Sequence, residues 1–139
     1  MFTTDQVRKL ITSGIRQARA FRNWYRELQC TNAEMRAENL LKDWLSAEQL
    51  AQYEAYRYFD VIGGRSGTLY RVRYGTAMNI TQLSPGGKVE AGLCFVPCEP
   101  LVAGDVMLAQ KIALETNERG VLLVAKTFSP RWRTIHTEV

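Results

Sequence analysis

The residues most open to a chemical reading are Gly63-Gly64-Arg65-Ser66-Gly67, a glycine-rich run carrying one basic and one hydroxyl side chain. A phosphate loop uses such residues, but it needs a helix N-terminus directly after it and a Lys-Ser/Thr pair. Here Thr68-Leu69-Tyr70-Arg71-Val72-Arg73-Tyr74 follows, alternating apolar or aromatic residues with arginine, and the pair is missing. The run reads as a hairpin turn. Cys94 and Cys98 have a C-x3-C spacing, and Cys30 and His136 would complete a Cys3His zinc set. Pro97 lies inside the pair and the other two residues are distant in sequence, so the thiols read as small buried hydrophobes. His136 is the only histidine and sits in a polar tail, so a Ser-His or Cys-His nucleophile would have to recruit it from there. Glu99 and Asp105 have the chemistry for acid–base work, but they flank prolines and a helix start, and Asp105 reads as a helix N-cap. No catalytic residue, cofactor or metal ligand is assigned, and a non-enzymatic protein is expected.

Arginine carries the functional slant. Arg8, Arg16, Arg19, Arg22 and Arg26 fall within an arc of roughly 120° at 100° per residue. Arg71 and Arg73 share one face of the strand after the turn, close to Arg65, and Arg131 and Arg133 flank Trp132. Guanidinium groups make forked, charge-assisted bonds to phosphates, and neighbouring tyrosines stack on bases. The plainer alternative is a solvated helix face paired internally with Glu34, Glu38, Asp43 and Glu48. Trp24, Trp44 and Trp132, with six tyrosines, equally suit a protein interface, where Tyr, Trp and Arg carry most of the energy.

These residues sit in a chain of 139, long enough for one domain with a real core. Hydrophobic residues make up 46% and charged residues 23%, which argues against disorder. No apolar run approaches the ~20 residues of a membrane span. Met1-Phe2-Thr3-Thr4-Asp5 has no basic leader and no apolar stretch follows, so a soluble, non-secreted chain is expected. Three cysteines, an odd count, read as reduced thiols. The net charge of +4 is uneven: residues 1–30 carry six Lys/Arg against two acids, residues 31–60 three against six.

Periodicity predicts a helix over 4–29, with Val7, Ile11, Gly14, Ala18, Phe21, Tyr25 and Leu28 in a heptad-like stripe. That register suits pairing with another helix, in this chain or a partner, and Gly14 and Ala18 permit close approach. Thr31-Asn32-Ala33-Glu34 matches a capping box and predicts a second helix to about residue 45, with Ala37, Leu40, Leu41, Trp44 and Leu45 facing the core. Ser46-Ala47-Glu48-Gln49 is another box, opening a third helix to about residue 56. Strands follow at 58–62, 68–74, 78–83 and 88–96, the last two joined by Ser84-Pro85-Gly86-Gly87. Pro97 and Pro100 end this four-stranded antiparallel meander. A helix over 106–116 comes next, interrupted at Gly120, and 121–128 fits either a short helix, which is favoured, or a strand. The expected class is α+β: N-terminal helices, a β-meander, then a C-terminal helix or helices. The expected divisions are a helical arm over 1–30, an α+β domain over 31–128 and a basic tail over 129–139.

Trp44-Leu45-Ser46-Ala47-Glu48-Gln49, Tyr58-Phe59-Asp60-Val61-Ile62-Gly63, Tyr70-Arg71-Val72, Cys94-Phe95-Val96-Pro97 and Asp105-Val106-Met107-Leu108-Ala109-Gln110-Lys111 resemble segments of a family of small uncharacterised proteins of bacteria and their phages. The resemblance spans about residues 35–126. It implies a bacterial or phage source and a conventional small fold, and it carries over no catalytic residue. The expected function is a small interaction or structural subunit of a homo-oligomer or a larger assembly such as a phage particle, in the cytoplasm or the virion and not on a membrane. The alternative is a nucleic-acid-binding accessory protein. Contacts are assigned to Arg8, Arg16, Arg19, Arg22, Arg26, Arg71, Arg73, Arg131, Trp132 and Arg133.

Overall fold

The chain contains neither glycine nor proline between Ile15 and Trp44, and one helix results. The structure, a computed structural model, describes residues 3–130 without the side chains of residues 29 and 30. Helix α1 runs unbroken over Thr4–Trp44. The expected break near residue 30 and the cap at Thr31 do not form. Threonine and asparagine cost only about 0.5 kcal/mol each inside a helix, whereas a break orphans several backbone groups at each new end. The Thr31 hydroxyl instead donates back to the Glu27 carbonyl at 2.8 Å, as a mid-helix threonine does. The chain divides into two compact units, Met1–Met35 and Arg36–Val139.

In the second unit the Ser46 box forms as expected. The Gln49 N–H donates to Ser46 Oγ (3.2 Å), and the Ser46 N–H donates to Gln49 Oε1 (3.0 Å). This opens α2, Ala47–Tyr56, which ends on Arg57 in the left-handed conformation at φ 60°. Strands β1 (Tyr58–Ile62), β2 (Leu69–Arg73), β3 (Ile80–Leu83) and β4 (Val89–Cys94) form the antiparallel meander in chain order. Helix α3 spans Ala103–Thr116 and begins ahead of Asp105. Val102 holds the N-cap position, so Asp105 is a first-turn acid favoured by the helix dipole, not the cap. The break falls at Asn117, whose side chain accepts from the Gly120 N–H and opens α4, Glu118–Val124. A fifth strand, β5 (Lys126–Phe128), pairs antiparallel with β4. The 121–128 stretch is thus helix to residue 124 and strand from residue 126.

Alternate strand residues, Phe59 and Val61 from β1, Tyr70 and Val72 from β2, Ile80 and Leu93 beyond, bury against Leu41, Tyr53, Met107 and Leu114. Each large apolar side chain so buried contributes about 1.5–3 kcal/mol. Of the expected helix face, Ala37 and Leu41 are buried and Leu45 is half-buried, but Leu40 and Trp44 are exposed. One polar pair lies in this core. Asn79 and Gln110 exchange amide hydrogen bonds at 2.9 and 3.0 Å, and their remaining donors reach the Arg73 and Phe95 carbonyls. Every donor of the two amides is satisfied, which removes the desolvation cost of burying them.

Helix α3 is held at both ends by backbone contact that only glycine allows. At its start, a Cβ on Gly104 would lie 2.6 Å from the Ala37 carbonyl carbon. At its end, the Gly64 N–H donates to the Leu114 carbonyl at 3.1 Å, and a Cβ there would lie 1.9 Å from the Glu115 oxygen. The free edge of β1 is also covered. The Asp60 N–H donates to Gln52 Oε1 (2.8 Å) and the Asp60 carbonyl accepts from Gln49 Nε2 (2.9 Å), so α2 occupies an edge open to foreign strands. Among the described residues no helix is long and apolar enough to cross a membrane.

Gly64→Ala should therefore lower stability by about 3 kcal/mol, since neither backbone can yield. Gly67→Ala, at φ +72° in open space, should cost only about 1 kcal/mol. Urea unfolding midpoints of the two variants at matched slope check the contrast.

Candidate interaction surface

The glycine-rich turn does bind an anion, and the anion is the chain's own. Glu118, buried at the start of α4, accepts from the backbone N–H of Arg65 at 3.0 Å and of Ser66 at 2.9 Å. Its other oxygen accepts from the Tyr70 hydroxyl at 2.7 Å and from the Ser66 hydroxyl. A Cβ on Gly63 would meet this carboxylate at 2.4 Å, which explains the second glycine. Burial alone would raise the Glu118 pKa, but the donors from Ser66, Tyr70 and Arg65 outweigh it and bring it down to about 2. Burial, then the bond to Glu118, pushes the Tyr70 hydroxyl well above its usual value. A carboxylate held this low is a poor base. The Ser66–Glu118 pair works as a latch between the first hairpin and α4 and is ill-suited to activating a nucleophile.

The hairpin arginines are also engaged within the fold. Arg71 forks onto Asp60 at 2.8 and 3.1 Å, with its guanidinium carbon 4.0 Å from the Tyr58 ring centre. The bond to Asp60 raises the Arg71 pKa against the opposing effect of burial. Arg73 approaches the same ring at 5.3 Å, and burial, followed by the Arg71 charge, lowers its pKa. Arg57, which the sequence did not single out, lies 4.9 Å from the Tyr53 ring and 4.4 Å from the Tyr74 ring and pairs with Glu38. Burial would raise the Glu38 pKa, but the bonds from Arg57 and Tyr53 outweigh it and lower it. Arg71 is thus a cross-strand strut, and its charge is offset where it lies.

The first unit is different. Arg8, Arg16, Arg19, Arg22 and Arg26 are all exposed on α1, and among the described residues none of them makes an ion pair. Of the acids in 34–54, Glu38 is engaged by Arg57 and Tyr53. Beside them runs the apolar stripe. Val7, Leu10, Ile11, Ile15, Phe21, Trp24, Tyr25 and Leu28 are each between 40% and 64% exposed. Scattered exposed leucines are ordinary, but here eight large side chains are exposed on one helical segment. The Phe21 ring centre lies 5.7 Å from that of Trp24 and 6.4 Å from that of Tyr25.

Arg131, Trp132 and Arg133 lie outside the described residues, as does His136. Cys94 is half-buried and Cys98 exposed, and among the described residues no group of three or more side chains could hold a metal ion. Sequence reasoning missed Glu118 and Arg57 because their partners lie far away in the chain. The signal for Glu118 was the Gly63-Gly64 pair itself, which marks close approach by something. Comparison with protein-family models, with curated proteins and with solved structures finds no match for the chain.

The latch predicts acid sensitivity. The folded pKa of Glu118 lies below its usual 4.5, so the stabilisation is complete above pH 4.5 and is lost as the pH falls towards 2, by about 3 kcal/mol. Urea unfolding between pH 7 and pH 2.5 should show that loss. Glu118→Gln should start lower by about 2–3 kcal/mol and show a flatter acid limb.

Proposed function

We propose that this chain is a small non-enzymatic structural or interaction subunit, joined to other protein subunits through the helical face between Val7 and Leu28. The carrying observation is the exposed apolar stripe on residues 7–28 of α1, a segment with no described residue in the core. Among the described residues the buried core begins at Ala37. Exposing this much apolar surface is unfavourable in water, and covering it would stabilise each large side chain by about 1 kcal/mol or more. The edge arginines supply the polar, rim-forming side chains that such interfaces favour.

A second reading has one observation in its favour. Five arginines with no ion pair among the described residues make a cationic edge that suits a nucleic-acid backbone. In that case affinity would fall steeply with salt.

Light scattering on the full chain should show a multimer. Removal of residues 1–28 should leave a folded monomer, because the second unit keeps its whole core. Arg19→Glu with Arg22→Glu should leave the multimer in place under the assembly reading. Under the second reading it would abolish a salt-sensitive shift of labelled DNA or RNA. A multimer that survives removal of residues 1–28 would refute the assembly reading.

A further inference from the structure

Resting on the assembly reading above, we infer that the helical stripe pairs with a second copy of this chain in antiparallel orientation, staggered so that the two aromatic rings, Phe21 and Tyr25, each meet a small residue. In the heptad register Ile11, Ala18, Tyr25 and Asn32 occupy the a positions, and Val7, Gly14, Phe21 and Leu28 the d positions. An antiparallel two-fold pairing centred between Arg19 and Ala20 sets Ala18 against Phe21, Gly14 against Tyr25, and Ile11 against Leu28 of the other copy. Neither aromatic layer then stacks two rings or two small residues, and every contact is matched by its symmetry mate, as an isologous interface demands. A Cβ at Gly14 would meet nothing within 4 Å in the single chain, so the space for the tyrosine ring is open.

Parallel, in-register pairing fails on packing. It would stack Gly14 on Gly14 and Ala18 on Ala18, then Phe21 on Phe21 and Tyr25 on Tyr25, one narrow stretch beside one wide stretch. Straight helices cannot close both, and each methyl-sized void costs about 1 kcal/mol. Charge argues the other way, because antiparallel pairing brings both arginine edges to the same side of the seam. Those arginines sit at rim positions in water, where each like-charge pair costs only a few tenths of a kcal/mol and salt screens it. Packing is the larger effect and sets the orientation, and charge sets the salt dependence. The flanks fit as well. Gln17 lies across from Trp24, and Ile15 lies along the Arg22 stem. The stripe on two copies would bury roughly 1,300 Å², within the range of stable interfaces.

The test is a distance measurement on the full chain. A spin label at Lys9→Cys, with Cys30, Cys94 and Cys98 replaced by serine, should give a separation of roughly 35 Å between copies. Parallel pairing would give about 20 Å and would overturn the inference while leaving the assembly reading intact. A monomer throughout the micromolar range, or binding of the helix to anionic lipid vesicles in place of self-association, would also overturn it. Phe21→Ala should weaken the dimer roughly a hundredfold without altering the near-ultraviolet spectrum of the second unit. Raising the salt from 0.05 to 0.5 M should tighten the dimer several-fold, and a weaker dimer at high salt would count against the shared arginine face.

Discussion

A carboxylate buried among four donors organises the second unit. Glu118 accepts two backbone N–H groups from the turn and two hydroxyls, and in doing so it fixes where α4 begins. Because Asn117 separates α4 from α3, the same contact also fixes the end of α3. The Gly64 N–H then reaches the Leu114 carbonyl, and the far end of α3 rests on Ala37 through Gly104. Between those two anchors lie Met107, Gln110 and Leu114, the residues that α3 contributes to the core. A buried charge survives only where its desolvation is met by hydrogen bonds, so this latch has one geometry, and the hairpin and helices inherit it.

The chain treats its two sets of arginines in opposite ways. On the sheet, Arg71 is matched to Asp60, and the tyrosine rings offer faces to Arg57, Arg71 and Arg73. Such pairs hold strands and helix termini in register and offer little to a partner. On the first helical segment, five arginines stand beside eight exposed apolar side chains. The first arrangement holds a fold together. The second leaves apolar side chains exposed in a stripe with cations along its margin.

Much of the fold was readable from local rules. Ser46 and Gln49 are three residues apart, and that spacing suffices to close a capping box. Tyr70, Arg71, Val72 and Arg73 alternate, so their faces follow from the period of a strand. Ser84-Pro85-Gly86-Gly87 folds back with Gly87 at φ +81°, as its residue types require. Two local capping signals were overridden, each for its own reason. Thr31 and Glu34 have the spacing of a capping box, yet the helix runs through them, because no breaker interrupts it and continuity satisfies more backbone groups than a cap. Asp105 has the chemistry of an N-cap, yet the helix begins earlier, at the point where Gly104 packs on Ala37.

The amino-acid order alone determined most of the elements and the helical stripe, since periodicity, turn chemistry and charge spacing act over a few residues. The partners of those elements depended on tertiary structure. Glu118 in the glycine turn, Arg57 on Glu38, Gln110 on Asn79 and the strand at Lys126–Phe128 are all choices between groups far apart in sequence. A donor or acceptor carries no mark of which distant group will satisfy it. Only the packed chain, where each buried polar atom must find a mate and two backbones can touch solely at glycine, makes that selection.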